Sequence, residues 1–90
     1  MVCIEVIGPI SKRTVKKVEC YLNTLTTFKT YGSIKNSTVL FQSKKLDYAI
    51  TPFELEQFKS FISTILNIKS IEILFARSIN LPTIIVYIKT

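Results

Sequence analysis

Residues 50–66 of the chain read ITPFELEQFKSFISTIL, and this stretch carries the clearest secondary-structure signal in the sequence. Thr51 precedes Pro52, and Glu54 follows Thr51 by three residues, which is the pattern of an N-terminal capping box with a proline in the first helical turn. Beyond this start, apolar residues recur at the spacing of one helical face, namely at Leu55, Phe58, Ile62, Ile65 and Leu66. The stretch therefore predicts an amphipathic helix that buries one face against another layer of structure.

A second two-faced helix is predicted over residues 12–26. Ser11 is suited to the N-cap position, because its hydroxyl can accept a hydrogen bond from an amide of the first turn. One arc of this helix is apolar and consists of Val15, Val18, Leu22 and Leu25. The opposite arc is basic and consists of Lys12, Arg13, Lys16 and Lys17. The spacing thus separates a buried side from a positively charged side that faces solvent.

The segments around these helices have the alternation or the β-rich composition of strands. Strands are predicted at residues 2–7, 28–34, 38–43, 71–77 and 83–89, with residues 46–50 as a short strand or an extended connection. Apolar residues on both faces of the strand at 71–77 favour a central position for it in the sheet.

This order of elements predicts a single α+β domain over residues 1–90. Two amphipathic helices on one face of a mixed, mainly antiparallel sheet would bury both apolar arcs. Right-handed crossovers around the helices give a ferredoxin-like βαββαβ arrangement with an extra C-terminal strand. A hydrophobic content of 48% argues against disorder. The longest apolar run covers only residues 84–88. A helix that crosses a membrane needs about 20 predominantly apolar residues, so no membrane association is expected.

Positive charge is concentrated in the first half of the chain. The formal net charge is +6, from 12 Lys and Arg against 6 Asp and Glu. Residues 1–45 hold eight bases and two acids, whereas residues 46–90 hold four of each, so the whole excess lies in the first half. A basic surface of this kind suits the phosphates of nucleic acid. It also fits an acidic protein partner, or a solvated surface that serves solubility alone.

The start of the basic helix is the most informative part of this surface. Lys12 and Arg13 occupy the first turn, where the helix dipole is already positive, and residues that break a local rule are candidates for function. We therefore expect phosphates of RNA or DNA to bind at Ser11, Lys12, Arg13, Lys16 and Lys17, with Lys29, Lys35, Lys44 and Lys45 extending the surface. On the predicted hairpin, Phe28 and Tyr31 are candidates to stack on nucleic-acid bases.

The composition offers little for catalysis. Histidine is absent, which excludes the usual Ser-His and Cys-His pairs. The sequence has no C-x-x-C pair, no acidic cluster and no glycine-rich phosphate loop, so no metal and no cofactor are expected. These features favour a protein that is not an enzyme. Two cysteines and a start without the pattern of a signal peptide indicate a cytoplasmic location with reduced thiols.

The sequence is also compatible with a second function class, namely a structural or adaptor subunit of a protein complex. The C-terminal half is strongly apolar, and its last strand could lie at the edge of the sheet. The free backbone groups of an edge strand pair readily with another chain. In that case a protein partner or a second copy in a homodimer would contact Ile85 and Tyr87.

Overall fold

The computed structural model describes residues 1–33, 37–78 and 81–90. Within these ranges the chain forms two helices and five strands in the order β-α-β-β-α-β-β, which confirms the predicted α+β class. Residues 46–50 form a turn and an irregular connection instead of a strand. The helices are α1 (Lys12–Leu22) and α2 (Pro52–Ile65), and the strands are β1 (Val2–Ile7), β2 (Phe28–Ser33), β3 (Thr38–Ser43), β4 (Ser70–Ser78) and β5 (Leu81–Lys89).

The start of α2 has the predicted capping box. The Thr51 hydroxyl accepts a hydrogen bond from the Glu54 amide at 3.1 Å, and the Glu54 carboxylate accepts one from the Thr51 amide at 3.1 Å. The hydrogen bonds from the backbone and the side chain of Thr51 lower the pKa of Glu54 below its ordinary value. Two amides at the helix start are satisfied in this way, so the beginning of α2 is fixed by four consecutive residues.

The start of α1 is also as predicted, but its end is not. Ser11 is the N-cap, and its hydroxyl accepts a hydrogen bond from the Thr14 amide at 3.2 Å. The helix ends at Leu22 and does not continue to residue 26. The Asn23 side chain there accepts a hydrogen bond from the Phe28 amide at 2.6 Å. This bond ties the helix end to the first residue of β2, and the chain leaves the helix to form the next strand.

All five strands join in one sheet with the order β2-β3-β1-β5-β4. The central strand β1 pairs antiparallel with β3 and parallel with β5, while β2–β3 and β4–β5 are antiparallel pairs. A mixed and mainly antiparallel sheet is therefore confirmed. The two edges of the sheet are β2 and β4.

Two predictions about the C-terminal strands are wrong. The sequence predicts a central position for β4, which lies at an edge, and an edge position for β5, which lies between β1 and β4. The reason is that β5 pairs in parallel with β1 and buries Val86 and Ile88, which leaves β4 outside it with Leu74 and Phe75 exposed. The apolar residues on both faces of β4, which suggested a central strand, instead make this edge of the sheet apolar and exposed. The ferredoxin-like order with an added strand is not confirmed, because β5 separates β1 from β4.

The core lies between one face of the sheet and the two helices. Val18 and Leu22 of α1 and Phe58 and Ile62 of α2 are buried in one cluster with side chains of the sheet. The strand residues of that cluster are Val2, Ile4, Val6, Phe28, Val39, Phe41, Val86 and Ile88. Alternate residues on the other face of the sheet are partly buried or exposed. In the described part of the chain, no helix is both long and apolar enough to cross a membrane.

Candidate nucleic-acid interface

Four cationic side chains lie together on the outer side of α1. Lys12, Arg13, Lys16 and Lys17 are all exposed, because Val18 and the other apolar residues of the helix turn toward the sheet. The first turn of α1 contains no acidic residue. Among the described residues, the only salt bridge joins Lys59 to Glu56 on α2, so these four cations are not neutralised by a neighbouring acid. We call Lys12, Arg13, Lys16 and Lys17 the basic face of α1.

Ser11 lies at the amino end of this face, and its side chain serves as the N-cap of α1. Its hydroxyl accepts from the Thr14 amide and lies 2.9 Å from the Thr14 hydroxyl. The cap satisfies one amide of the first turn without adding a negative charge, so the positive end of the helix dipole is not offset by a carboxylate. Ser11 thus adds to the candidate site through the helix start that it fixes.

A groove between α1 and α2 runs along the basic face. It has a volume of about 530 Å³ and is lined by Arg13, Lys16, Lys17, Cys20, Tyr21, Thr24 and Phe61. The ring of Phe61 stacks on the ring of Tyr21, with centroids 4.3 Å apart. We call the stacked rings of Tyr21 and Phe61 the aromatic wall. The cations Arg13, Lys16 and Lys17 border this wall, an arrangement that suits a ligand with both an anionic and a flat apolar part.

The pairing of Tyr21 with Phe61 is not predictable from the sequence patterns of the two helices. Tyr21 and Phe61 each lie beside the apolar arc of their own helix, where an aromatic residue is usually a core residue. They meet only because α1 and α2 pack side by side, which no local pattern reports. The position of each ring at the border of an apolar arc indicates a contact with another part of the molecule. It does not show which side chain of the other helix makes that contact.

Lys29 lies on a different surface from the basic face of α1. In β2 the buried residue Phe28 and Thr30 turn toward the helices, and the Thr30 hydroxyl donates a hydrogen bond to the Glu19 carboxylate of α1. Because side chains alternate along a strand, Lys29 and Tyr31 point to the opposite face of the sheet. The Lys29 ammonium lies 5.3 Å from the centre of the Tyr31 ring, in a cation–π contact.

Lys44 and Lys45 form another separate pair of charges. Both are exposed and directly follow β3, where the Lys44 amide donates to the Thr27 carbonyl at 2.8 Å. This end of the sheet also holds the N-terminus of β1, whereas α1 begins after the C-terminal end of β1. Lys44 and Lys45 are therefore at the opposite end of the molecule from Lys12. Lys35, the remaining predicted base, lies outside the described residues.

The two stacking candidates have different surroundings. Phe28 is only 3% exposed, and its ring contacts that of Tyr48 edge-on at a centroid distance of 6.2 Å. Phe28 belongs to the core and is not available to a base, because β2 begins with this side chain facing the helices. Tyr31 is 44% exposed beside Lys29, and its role as a stacking platform stays a prediction.

Ile85 and Tyr87 do not lie on an edge strand. Ile85 pairs with Cys3 on one side and with Leu74 on the other, and Tyr87 pairs likewise with Glu5 and Glu72. The backbone groups of β5 are used within the sheet, so the predicted edge contact through these two residues is wrong. Their side chains are partly buried on the sheet face that lies away from the helices.

The cysteine and carboxylate side chains of the described residues form no metal site. Among the described residues, no group of three or more His, Cys, Asp or Glu is placed to hold a metal ion. Burial raises the pKa of Cys3, which opposes formation of a thiolate there. Comparison with protein-family models, curated proteins and solved structures found no match. Function is therefore inferred from the geometry of this chain alone.

Proposed function

We propose that this protein binds nucleic acid through its phosphates, using the basic face of α1, and that it catalyses no reaction. The observation that carries the proposal is the exposure of Lys12, Arg13, Lys16 and Lys17 on one helix side, next to an uncompensated helix start. Cations at such a surface release the counterions condensed on nucleic acid, which makes binding favourable. The predicted cytoplasmic location and the absence of a cofactor stay part of this proposal.

The size of the basic face sets the expected strength of binding. From Lys12 to Lys17 the helix rises by about 7.5 Å, so the face contacts only a few phosphates. If all four cations bind phosphates, the logarithm of the affinity falls against the logarithm of salt with a slope of about −2.8 for a single strand and about −3.6 for a duplex. Binding is accordingly modest and strongly salt-dependent.

The groove beside the face favours single-stranded over double-stranded nucleic acid. The wall formed by Tyr21 and Phe61 lies within the same groove as Arg13, Lys16 and Lys17. An unpaired base can reach an aromatic side chain, whereas a base inside a duplex is stacked between its neighbours. A base in the groove with its phosphates on the cations would use both features of the site.

Lys29, Lys44 and Lys45 lie away from the groove and have a lesser part in the proposal. They contribute to the positive field that attracts a polyanion, and they contact only strands that extend beyond the groove. Replacing them should lower the affinity for a short oligonucleotide less than replacing the bases of α1. This difference allows a matched control with the same change in net charge.

The test compares Lys16→Glu/Lys17→Glu with Lys44→Glu/Lys45→Glu by fluorescence anisotropy on a labelled single-stranded oligonucleotide. Both variants lose the same positive charge at exposed positions. We expect the first to lower the affinity on the order of tenfold or more, and the second to lower it much less. Equal losses in the two variants, or no binding by the unaltered protein at low salt, would overturn the proposal.

A further inference from the structure

The two edges of the sheet differ in how they are protected against pairing with another chain. β2 has six residues and includes Lys29 and Gly32, both of which weaken an edge for further pairing. β4 has nine residues, and its ladder with β5 is regular from Ser70 to Ser78, without a bulge. Long, regular edge strands are the ones that accept a new strand, and the two charged residues of β4, Glu72 and Arg77, lie outside its centre. In the described part of the chain, β4 has no strand on its outer side.

The centre of β4 also exposes large apolar side chains. Phe75 is 79% exposed and Leu74 is 43% exposed. As neighbours in a strand, they point to opposite faces of the sheet. The segment from Ile73 to Ala76 contains no charged residue. Both faces of the edge therefore present apolar surface next to backbone groups that no other strand among the described residues covers.

We propose that β4 pairs antiparallel with β4 of a second copy of this chain. An antiparallel pair of identical strands has a two-fold axis, and full overlap of the nine residues places Leu74 opposite Leu74 of the other copy. Phe75 then lies opposite Ile73, whose side chain packs on the core. Cross-strand pairs of aromatic and β-branched residues stabilise such a sheet, and each Phe75 would extend the core of the other copy.

The charges of β4 are compatible with pairing to a second copy of the same strand. The excess of +6 lies in residues 1–45, whereas β4 belongs to residues 46–90, which hold four bases and four acids, so this edge lies outside the basic half of the chain. β4 has one acid, Glu72, and one base, Arg77, and is neutral. In the fully overlapped register Glu72 lies opposite Ala76, so the Glu72 carboxylates of the two copies do not face each other. A nucleic acid or an acidic partner finds no excess positive charge here.

Pairing through β4 leaves the basic face of α1 accessible. The helix connects β1 to β2, and β2 is the edge farthest from β4. The two-fold axis is perpendicular to the sheet, so the helices of both copies lie on the same side of one continuous sheet. The dimer is therefore independent of the proposed nucleic-acid binding and can be tested without a ligand.

Sedimentation equilibrium of the protein alone, over a wide range of concentration, tests this dimer. The variant is Phe75→Lys, and the matched control is Phe53→Lys, because Phe53 is 71% exposed on α2 and borders a pocket with Tyr21 and Leu25 to which β4 contributes no residue. We expect the unaltered protein and Phe53→Lys to approach twice the chain mass of 10.3 kDa. We expect Phe75→Lys to weaken association at least tenfold while it keeps the circular dichroism of the folded chain.

Two results would overturn the dimer. One is an unaltered protein that stays monomeric at every concentration. The other is a folded Phe75→Lys variant that associates as strongly as the control. If Phe75→Lys does not fold, Phe75→Ser takes its place in the same comparison, since it removes the apolar ring without adding charge.

Discussion

The ring of Phe61 stacks on the ring of Tyr21, with centroids 4.3 Å apart and ring planes 11° apart. Tyr21 also approaches the buried ring of Phe58, at a centroid distance of 6.1 Å. The same tyrosine thus connects the core to the groove beside Lys16 and Lys17. Because core packing holds the aromatic wall in place, little ordering of these side chains is required when a ligand binds.

The first prediction concerns this aromatic wall. Phe61→Leu keeps an apolar side chain but removes the ring, and we expect it to lower the binding free energy for a single-stranded oligonucleotide by about 1 kcal/mol or more. An abasic strand of the same length provides the control, because it retains the phosphates and offers no base to stack. Anisotropy titrations should show equal affinities of Phe61→Leu and the unaltered protein for the abasic strand. The same loss on both strands would exclude a contact between Phe61 and a base.

The capping box of α2 gives a prediction about stability. Thr51→Ala removes the hydroxyl that accepts from the Glu54 amide, and we expect it to lower the free energy of unfolding by about 0.5–2 kcal/mol. Ser60→Ala, at an exposed position of the same helix, should change it by no more than about 0.5 kcal/mol. Urea unfolding of the two variants measures the difference. If Thr51→Ala is as stable as Ser60→Ala, the cap has no energetic role.

Tyr48 makes stability depend on pH in the alkaline range. Burial and the nearby Glu54 carboxylate, which accepts a hydrogen bond from the Tyr48 hydroxyl at 3.2 Å, raise the pKa of Tyr48 from 10.0 to about 12. Because the folded-state pKa is the higher one, this contribution to stability is complete below pH 10 and is lost as the pH rises through about 12. Denaturant unfolding across this interval should show a steeper loss in the unaltered protein than in Tyr48→Phe. Parallel losses would contradict the assignment to Tyr48.

Gly8 is required by the turn between β1 and α1. Its φ is +128°, its amide donates to the Ser37 carbonyl at 2.7 Å, and a Cβ at this position would collide with the side chain of Thr90. We expect Gly8→Ala to lower the free energy of unfolding by at least about 1 kcal/mol, from backbone strain and this collision. Thermal unfolding of Gly8→Ala/Thr90→Ala should recover part of the loss, since the nearest atom is removed. An unchanged unfolding temperature for Gly8→Ala would refute the described turn.

The features that the sequence predicted well depend on neighbouring residues. The start of α2 follows from Thr51, Pro52 and Glu54, which act within one helical turn, and the basic face of α1 follows from helical spacing alone. The alternation of residues along the chain likewise predicts strand β1 and its inward face, since Val2, Ile4 and Val6 are buried. Each of these patterns has one dominant physical cause that acts over a few residues.

The remaining features depend on pairing between distant segments. Apolar side chains on both faces of β4 are compatible with a central strand and with an apolar edge, and only the parallel pairing of β5 with β1 decides between them. The groove was missed for the same reason, because Tyr21 and Phe61 belong to different helices. The end of α1 was misplaced because the Asn23 side chain bonds to the amide of Phe28 in the next strand.

The most direct test of nucleic-acid binding is the salt dependence of affinity for a single-stranded oligonucleotide long enough to cover the groove. The dissociation constant of the unaltered protein is measured by anisotropy over a series of salt concentrations. We predict a linear plot of the logarithm of affinity against the logarithm of salt with a slope near −2.8, from about four phosphate contacts. A slope near zero, or no change in anisotropy at the lowest salt, would contradict a phosphate-binding role for the basic face of α1.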